Sequence, residues 1–170
     1  MSDSVVRPAR RDDFYCEPPL HVVLVEPEIP PNTGNVSRMC YATGTKLHLI
    51  KPLGFEIDDK RLRRAGLDYW KSMDVQVYDH IDEFIDHVVP VERCFFLSTR
   101  ATQPMWDIPV EPGDALIFGK ESKGLGPELV ERYRDRLFHI PILPDTVRSI
   151  NLSNAVAITL FDAYRRISGR

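Results

Sequence analysis

Four hydrogen-bonding side chains, Ser149, Asn151, Ser153 and Asn154, fall within six positions where an apolar stretch, Ile140 to Leu143, passes through a polar turn and opens a helix. A helix start needs only one such residue as its cap, so the surplus calls for another explanation. Ile140, Leu143 and Ile150 supply apolar contact beside these donors and acceptors, the mix found in a small-molecule pocket with a few polar anchors. The run from 140 to 157 therefore reads as a site and not as a connector.

Two further segments could carry chemistry. The first, Glu26 to Arg38, follows an apolar run directly. Asn32 can cap the helix it opens, Gly34 allows close backbone approach, and Arg38 lies nearly two turns along. Bare helix amides near a guanidinium suit a phosphate; a capped helix whose arginine makes an ordinary salt bridge fits the same residues. In the second, Leu116 to Pro127, an apolar strand breaks into a glycine-rich turn. Gly124-Leu125-Gly126 lacks the rest of GxGxxG, and no Gly-Lys-Ser/Thr closes a Walker-type loop, which removes a kinase or a dehydrogenase. Glycines at a strand end still let a flat ligand lie against backbone, and Glu121 offers an acceptor for ribose hydroxyls or a basic partner. An ordinary turn accounts for this segment equally well.

These segments need a scaffold, and the apolar runs describe one. Val22–Val25, Leu47–Ile50, Val75–Tyr78, Cys94–Leu97, Leu116–Phe118 and Phe138–Ile142 are short and apolar on both faces, as parallel strands covered by helices on each side must be. Helical patterns lie between them. Asp79 ahead of Ile81 to Val88, with Asp82 three positions on, predicts an acidic variant of the capping box. The last helix, about Asn151 to Arg166, carries Leu152, Ala155, Val156, Thr159, Leu160 and Ala163 on one stripe, a core or subunit face. Glycines and prolines fall between elements, where an α/β sheet exposes its ligand-binding edge. The prediction is a single α/β domain over 20–170, preceded by a polar, proline-containing extension over 1–19 that reads as flexible.

Composition agrees with that size. A 170-residue chain with 43% hydrophobic and 28% charged residues can bury a full core without staples. Its longest apolar runs are strand-length, and the N-terminus mixes Arg7, Arg10 and Arg11 with Asp12, Asp13 and Glu17 in place of a signal peptide's apolar core, so a cytoplasmic location is expected. Cys16, Cys40 and Cys94 share no metal-type spacing, and Cys40 and Cys94 read as small core residues. A net charge of −3 does not by itself point to nucleic acid. Two basic clusters do stand out, Lys60, Arg61, Arg63 and Arg64 with Lys71, and Arg132, Arg134 and Arg136. A solvated helix face is the ordinary explanation of either run.

Together the three segments resemble, in order and spacing, the three motifs of the SpoU branch of the SPOUT RNA methyltransferases. The resemblance spans about Leu20 to Arg166. It is closest to the small single-domain tRNA 2'-O-methyltransferases that modify the wobble nucleotide, pyrimidine 34 of leucine tRNAs. The residues carrying that narrower match are Glu26 to Asn35, Gly54-Phe55, Asp58 to Tyr69 and Asn151 to Val156. Ile150 stands where relatives commonly have methionine or leucine, and Phe161 where close relatives can show tyrosine.

The resemblance implies a parallel sheet flanked by helices with a C-terminal deep trefoil knot forming an S-adenosyl-L-methionine pocket. It also implies a homodimer in which an arginine of one subunit reaches the pocket of the other, and no metal. Cofactor contacts carry over to Leu97, Ser98, Thr99, Gly119, Glu121, Ile140, Pro141, Leu143 and Ser149, Ile150, Asn151 and Leu152. Asn32 and Arg38 become the catalytic-motif residues, supported by Ser149 and Asn151. Lys60, Arg61, Arg63, Arg64 and Lys71 would bind phosphates of the tRNA anticodon stem-loop. The expected reaction moves the donor's methyl group to a ribose 2'-hydroxyl, with Arg38 chiefly clamping phosphate. The same fold acting on another tRNA or rRNA position, or as a catalytically silent RNA-binding protein, is the alternative.

Overall fold

The computed structural model describes residues 16–57 and 73–169. Seven strands, β1 (His21–Val25), β2 (Lys46–Ile50), β3 (Val75–Tyr78), β4 (Cys94–Leu97), β5 (Gln103–Pro104), β6 (Ala115–Phe118) and β7 (Leu137–His139), form one sheet in the order β3-β2-β1-β6-β4-β7-β5. Every pairing is parallel. The central strands β4 and β6 are apolar at every position, and β1 at every position but His21, because both faces are covered. On one face Val22, Leu24, Leu47, Leu49, Leu116 and Phe118 pack with Val36 and Cys40 of α1 (Pro30–Thr43) and with Val156, Leu160 and Ala163 of α4 (Leu152–Ile167). Truncating a fully buried residue such as Leu160 to alanine would cost about 2–5 kcal/mol. The other face buries Val23, Ile50, Phe96 and Ile117 against Phe84 of α2 (Ile81–His87) and Tyr133, which follows α3 (Pro127–Arg132).

The strand order positions the site. The chain leaves β1 toward β2 and β3 and later returns to β1's other side as β6, so the order reverses between β1 and β6. Such a reversal splays the loops at the carboxyl ends of the two strands and opens a crevice there. The last helix is as predicted, with Leu152, Val156, Thr159, Leu160 and Ala163 buried and Ala155 packed against the core. Tyr164 on α4 donates from its hydroxyl to the Thr43 carbonyl at 3.1 Å, fastening the two helices together.

Several expectations need correction. The run Val75–Tyr78 forms the sheet edge and leaves Val77 38% exposed, because β3 has only β2 beside it. The predicted Phe138–Ile142 strand ends at His139, where β4 and β5 stop offering partners. β5, two residues long, has no apolar pattern to announce it. Asp79 does not cap α2: His80 holds the cap position without a side-chain bond, and Asp79 instead accepts from Lys51 Nζ at 2.8 Å. Cys16, inside the stretch expected to be an extension, packs against the core, while residues 1–15 lie outside the described residues. Cys40 and Cys94 are buried as expected, and burial pushes both thiols up to about 12.

A polar thread crosses the second face. His21 Nδ1 lies 2.9 Å from His48 Nε2, His48 Nδ1 lies 3.2 Å from the Tyr78 hydroxyl, and that hydroxyl donates to Gln76 Oε1 at 2.5 Å. Because Tyr78 spends its proton on Gln76, His48 must donate from Nδ1 and accept at Nε2, and His21 must donate from Nδ1. The His48 imidazole is then neutral. Burial, the leading cause, lowers His21 to about 4 and His48 to about 3.

Candidate functional site

The crevice is built from loops that hold one another. After β1 the backbone of Glu26 enters the left-handed region at φ 52°, unusual for a residue with a side chain, and Lys120 Nζ donates to its Oε2 at 2.6 Å. Pro30 and Pro31 then start α1 with their φ preset. The cap residue, Ile29, has no side-chain acceptor to offer. Glu121, from the loop after β6, supplies one: its carboxylate accepts from the Glu28 amide at 2.8 Å, the Ile29 amide at 3.1 Å and Asn32 Nδ2 at 3.1 Å. The Glu28 carboxylate answers by accepting from the Ser122 amide and hydroxyl, each at 2.9 Å, and the Ser122 bonds hold its carboxyl below the usual range. The expectation that Asn32 caps α1 is thereby corrected. Asn32 sits at the third helical position, and the carboxylate that anchors the turn into α1 comes from another loop.

The third segment joins through Asn32. Asn151 caps α4 by accepting at Oδ1 from the Ser153 amide at 2.8 Å, the Ser153 hydroxyl at 2.7 Å and the Asn154 amide at 3.4 Å. Its Nδ2 donates to Asn32 Oδ1 at 3.0 Å. Glu121, Asn32 and Asn151 thus form one continuous chain of hydrogen bonds in which each amide's orientation is fixed by both neighbours. The three sequence segments that read as chemical meet in this chain.

Beside it opens a cavity of about 540 Å³, within the range that encloses a nucleoside-sized ligand. Leu97, Phe118, Ile140, Ile142 and Leu152 give it apolar walls, and Ser98 and Thr99 enter at the end of β4. Gly119 and Glu121 line it from β6, and Ser149, Ile150 and Asn151 from the approach to α4. A Cβ on Gly119 would lie 2.1 Å from the backbone of Gly124 and Leu125, so only glycine lets the turn fold back there.

Of the predicted residues, Pro141 and Leu143 are not among those lining the cavity, and Leu143 is 77% exposed. Arg38 also lies outside it, exposed on α1. Lys60, Arg61, Arg63, Arg64 and Lys71 fall outside the described residues. The second basic cluster is engaged within the protein: Arg132 pairs with Asp82, Arg134 with Glu131, and Arg136 donates to the Glu92 carbonyl. Sequence reasoning missed Glu28, Lys120 and Ser122, whose only signal was their place in the two motif loops. Among the described residues no group of three or more His, Cys, Asp or Glu could hold a metal ion, and no helix is long and apolar enough to cross a membrane.

Comparison with known proteins agrees with this geometry. The model of the SpoU rRNA methylase family matches residues 19–161. A tRNA (cytidine(34)-2'-O)-methyltransferase from Saccharophagus degradans is 49% identical over 148 residues, 86% of this chain and 95% of that protein. A solved structure described as giving insights into the 2-OH methylation of C/U34 on tRNA superposes with a TM-score of 0.79 at 40% identity, over 89% of this chain and 97% of that one. The SpoU methyltransferase AviRb from Streptomyces viridochromogenes, solved with AdoMet, shares the fold at a TM-score of 0.75 and 23% identity, over 100% of this chain and 64% of that one.

Proposed function

The chain belongs to the SpoU rRNA methylase family, and on that premise we propose that it is a tRNA methyltransferase acting on the ribose 2'-hydroxyl of nucleotide 34, with S-adenosyl-L-methionine as methyl donor. Near full-length identity to relatives named for that reaction supports the substrate and position. The observation that carries the reading is the Glu121, Asn32 and Asn151 chain at the cavity edge, since it unites the segments with the most unexplained polar groups.

The cavity fits the donor. Its apolar walls suit an adenine, and the hydroxyls of Ser98 and Thr99 suit ribose or the amino-acid end. When bound, S-adenosyl-L-methionine supplies an electrophilic methyl group on a sulfonium sulfur. The protein's own part is alignment, which can supply roughly 7–11 kcal/mol when two reactants are held in register. Ser149 and Asn151 face the cavity and orient the acceptor ribose. Arg38 clamps the adjoining phosphate and steadies the developing alkoxide.

The working form is a homodimer. Arg38 lies outside its own cavity, and Tyr41, Ile158 and Phe161, 53%, 44% and 45% exposed, lie on the fastened helices α1 and α4. The segment after β7 that returns across the loops of β4 and β6 is the part tucked into a trefoil knot. The anticodon stem-loop of leucine tRNAs is the substrate, held in part by Lys60, Arg61, Arg63, Arg64 and Lys71, and the enzyme works in the cytoplasm.

The test is to incubate the purified protein with labelled S-adenosyl-L-methionine and leucine tRNA, and to map 2'-O-methyl marks. Label at nucleotide 34, absent when that nucleotide is 2'-deoxy, is the expected result. Label elsewhere, or none, overturns the reading.

A further inference from the structure

Most described lysine and arginine side chains are engaged. Lys46, Lys51, Arg93, Lys120, Arg132, Arg134, Arg165 and Arg166 are ion-paired, Arg136 is bonded to a carbonyl, and Arg38 has a partner. Arg100, Lys123 and Arg148 have neither a side-chain hydrogen bond nor an ion pair among the described residues. All three are exposed, and all three line the same cavity. They come from three separate loops, after β4, after β6 and before α4, so their convergence is a product of the fold.

The donor does not account for them. S-adenosyl-L-methionine carries a sulfonium and an ammonium against one carboxylate, so a ring of cations repels it on balance. The cavity's acidic residue, Glu121, gives its carboxylate to the Glu28 and Ile29 amides and to Asn32 Nδ2. An excess of unpaired positive charge at the mouth of a pocket, in a chain whose net charge is −3, calls for a polyanion. We propose that Arg100, Lys123 and Arg148 form a phosphate-binding rim that grips the RNA backbone next to the nucleotide entering the cavity. The inference rests on the reading of that cavity as the methyl-donor site of an RNA methyltransferase. It adds an RNA contact to the one expected of the basic run at Lys60 to Arg64.

The rim is tested with the full-length protein and an anticodon stem-loop RNA. Arg100→Ala, Lys123→Ala and Arg148→Ala are made singly and together, with a charge-keeping set of Arg100→Lys and Arg148→Lys. For single strands each lost phosphate contact flattens the log–log salt dependence by about 0.7, so the triple variant should lose a slope of about 2. Its RNA affinity at low salt should fall by about 10- to 100-fold, while the lysine set keeps most of the slope. Affinity for S-adenosyl-L-homocysteine, read by calorimetry, should change by less than about twofold. An unchanged slope overturns the rim, and so does a parallel loss of S-adenosyl-L-homocysteine affinity, which would assign the cations to the donor's carboxylate. Wild-type protein that binds the stem-loop without methylating it would sink the functional reading instead, while the slope comparison still judges the rim.

Discussion

Asn151 donates its side-chain amide to the Asn32 carbonyl oxygen at 3.0 Å, joining the starts of two helices that lie 119 residues apart in the chain. The same side chain caps α4 through its other atom. Structural and positioning roles therefore separate by substitution. Asn151→Asp keeps an acceptor for the cap but sets a carboxylate against Asn32 Oδ1. Thermal melting should move little, and the single-turnover rate should fall by about 100-fold. Asn151→Ala should lose the rate and also about 1–2 kcal/mol from the missing cap. Denaturation curves beside single-turnover kinetics decide, and an Asn151→Asp enzyme at wild-type rate would remove Asn151 from the site.

Glu121 extends the same argument across the cavity. Its carboxylate faces three donors, and Glu121→Gln replaces one acceptor oxygen by an NH₂. One donor then meets a donor, at a cost of about 1–3 kcal/mol. Asn32 would also be free to turn over and break from Asn151. Guanidinium unfolding should record the first effect, and kcat should fall more than KM rises, because the RNA contacts stay in place.

A shared site makes a sharp prediction for mixed protein. If Arg38 of one subunit serves the cavity of the other, Arg38→Ala and Asn151→Ala are each inactive alone but complement when co-refolded. Half the dimers are then mixed, and each mixed dimer has one site built from two intact halves, giving about one quarter of wild-type activity. No recovery would place Arg38 in its own subunit's chemistry or outside it.

The His21 and His48 pair sets an acid limit. Both folded-state values lie below the ordinary imidazole value of 6.5, at about 4 and about 3, so the unfolded chain binds more protons than the native one between pH 6.5 and these values. Stability is therefore full above about pH 6.5 and falls as pH drops through that window. The slope is up to about 1.4 kcal/mol per pH unit for each imidazole. Lys46, which lowers both, and Asp74, which raises His48, are the charged groups acting on the pair. His48→Gln should lower stability at pH 7.5 by about 1–3 kcal/mol, through the bonds lost to His21 and Tyr78, and should roughly halve the acid slope. Urea midpoints from pH 4 to 8 check both.

What the chain disclosed in advance follows the range of the forces involved. Strands buried on two faces are apolar at most positions, so the runs at β1, β2, β4 and β6 were visible and the α/β class with them. Nothing local marks Val75–Tyr78 as an edge, because that depends on which strand lies beyond it. Asn32 offered itself as a cap on local grounds, and the true acceptor, Glu121, arrives from 89 residues away. Charge was ambiguous for the same reason. Arg132, Arg134 and Arg136 look like a patch in the sequence but are satisfied by neighbours in space, whereas Arg100, Lys123 and Arg148 are isolated in sequence and converge only through the sheet.

Gly119 and Gly124 sit in one turn yet should respond oppositely to an added methyl. At Gly124, φ is +67° and the space is open, so Gly124→Ala pays only for a left-handed alanine, about 1–2 kcal/mol. At Gly119 a Cβ would meet the backbone of Gly124 and Leu125 at 2.1 Å, which no side-chain movement relieves. The turn must open, and with it go the Lys120, Glu121 and Ser122 contacts that hold the loop after β1. Gly124→Ala should therefore bind S-adenosyl-L-homocysteine within a few-fold of wild type. Gly119→Ala should lose that binding altogether while keeping a folded sheet by circular dichroism. Equal affinity in the two variants would show that the turn does not shape the pocket.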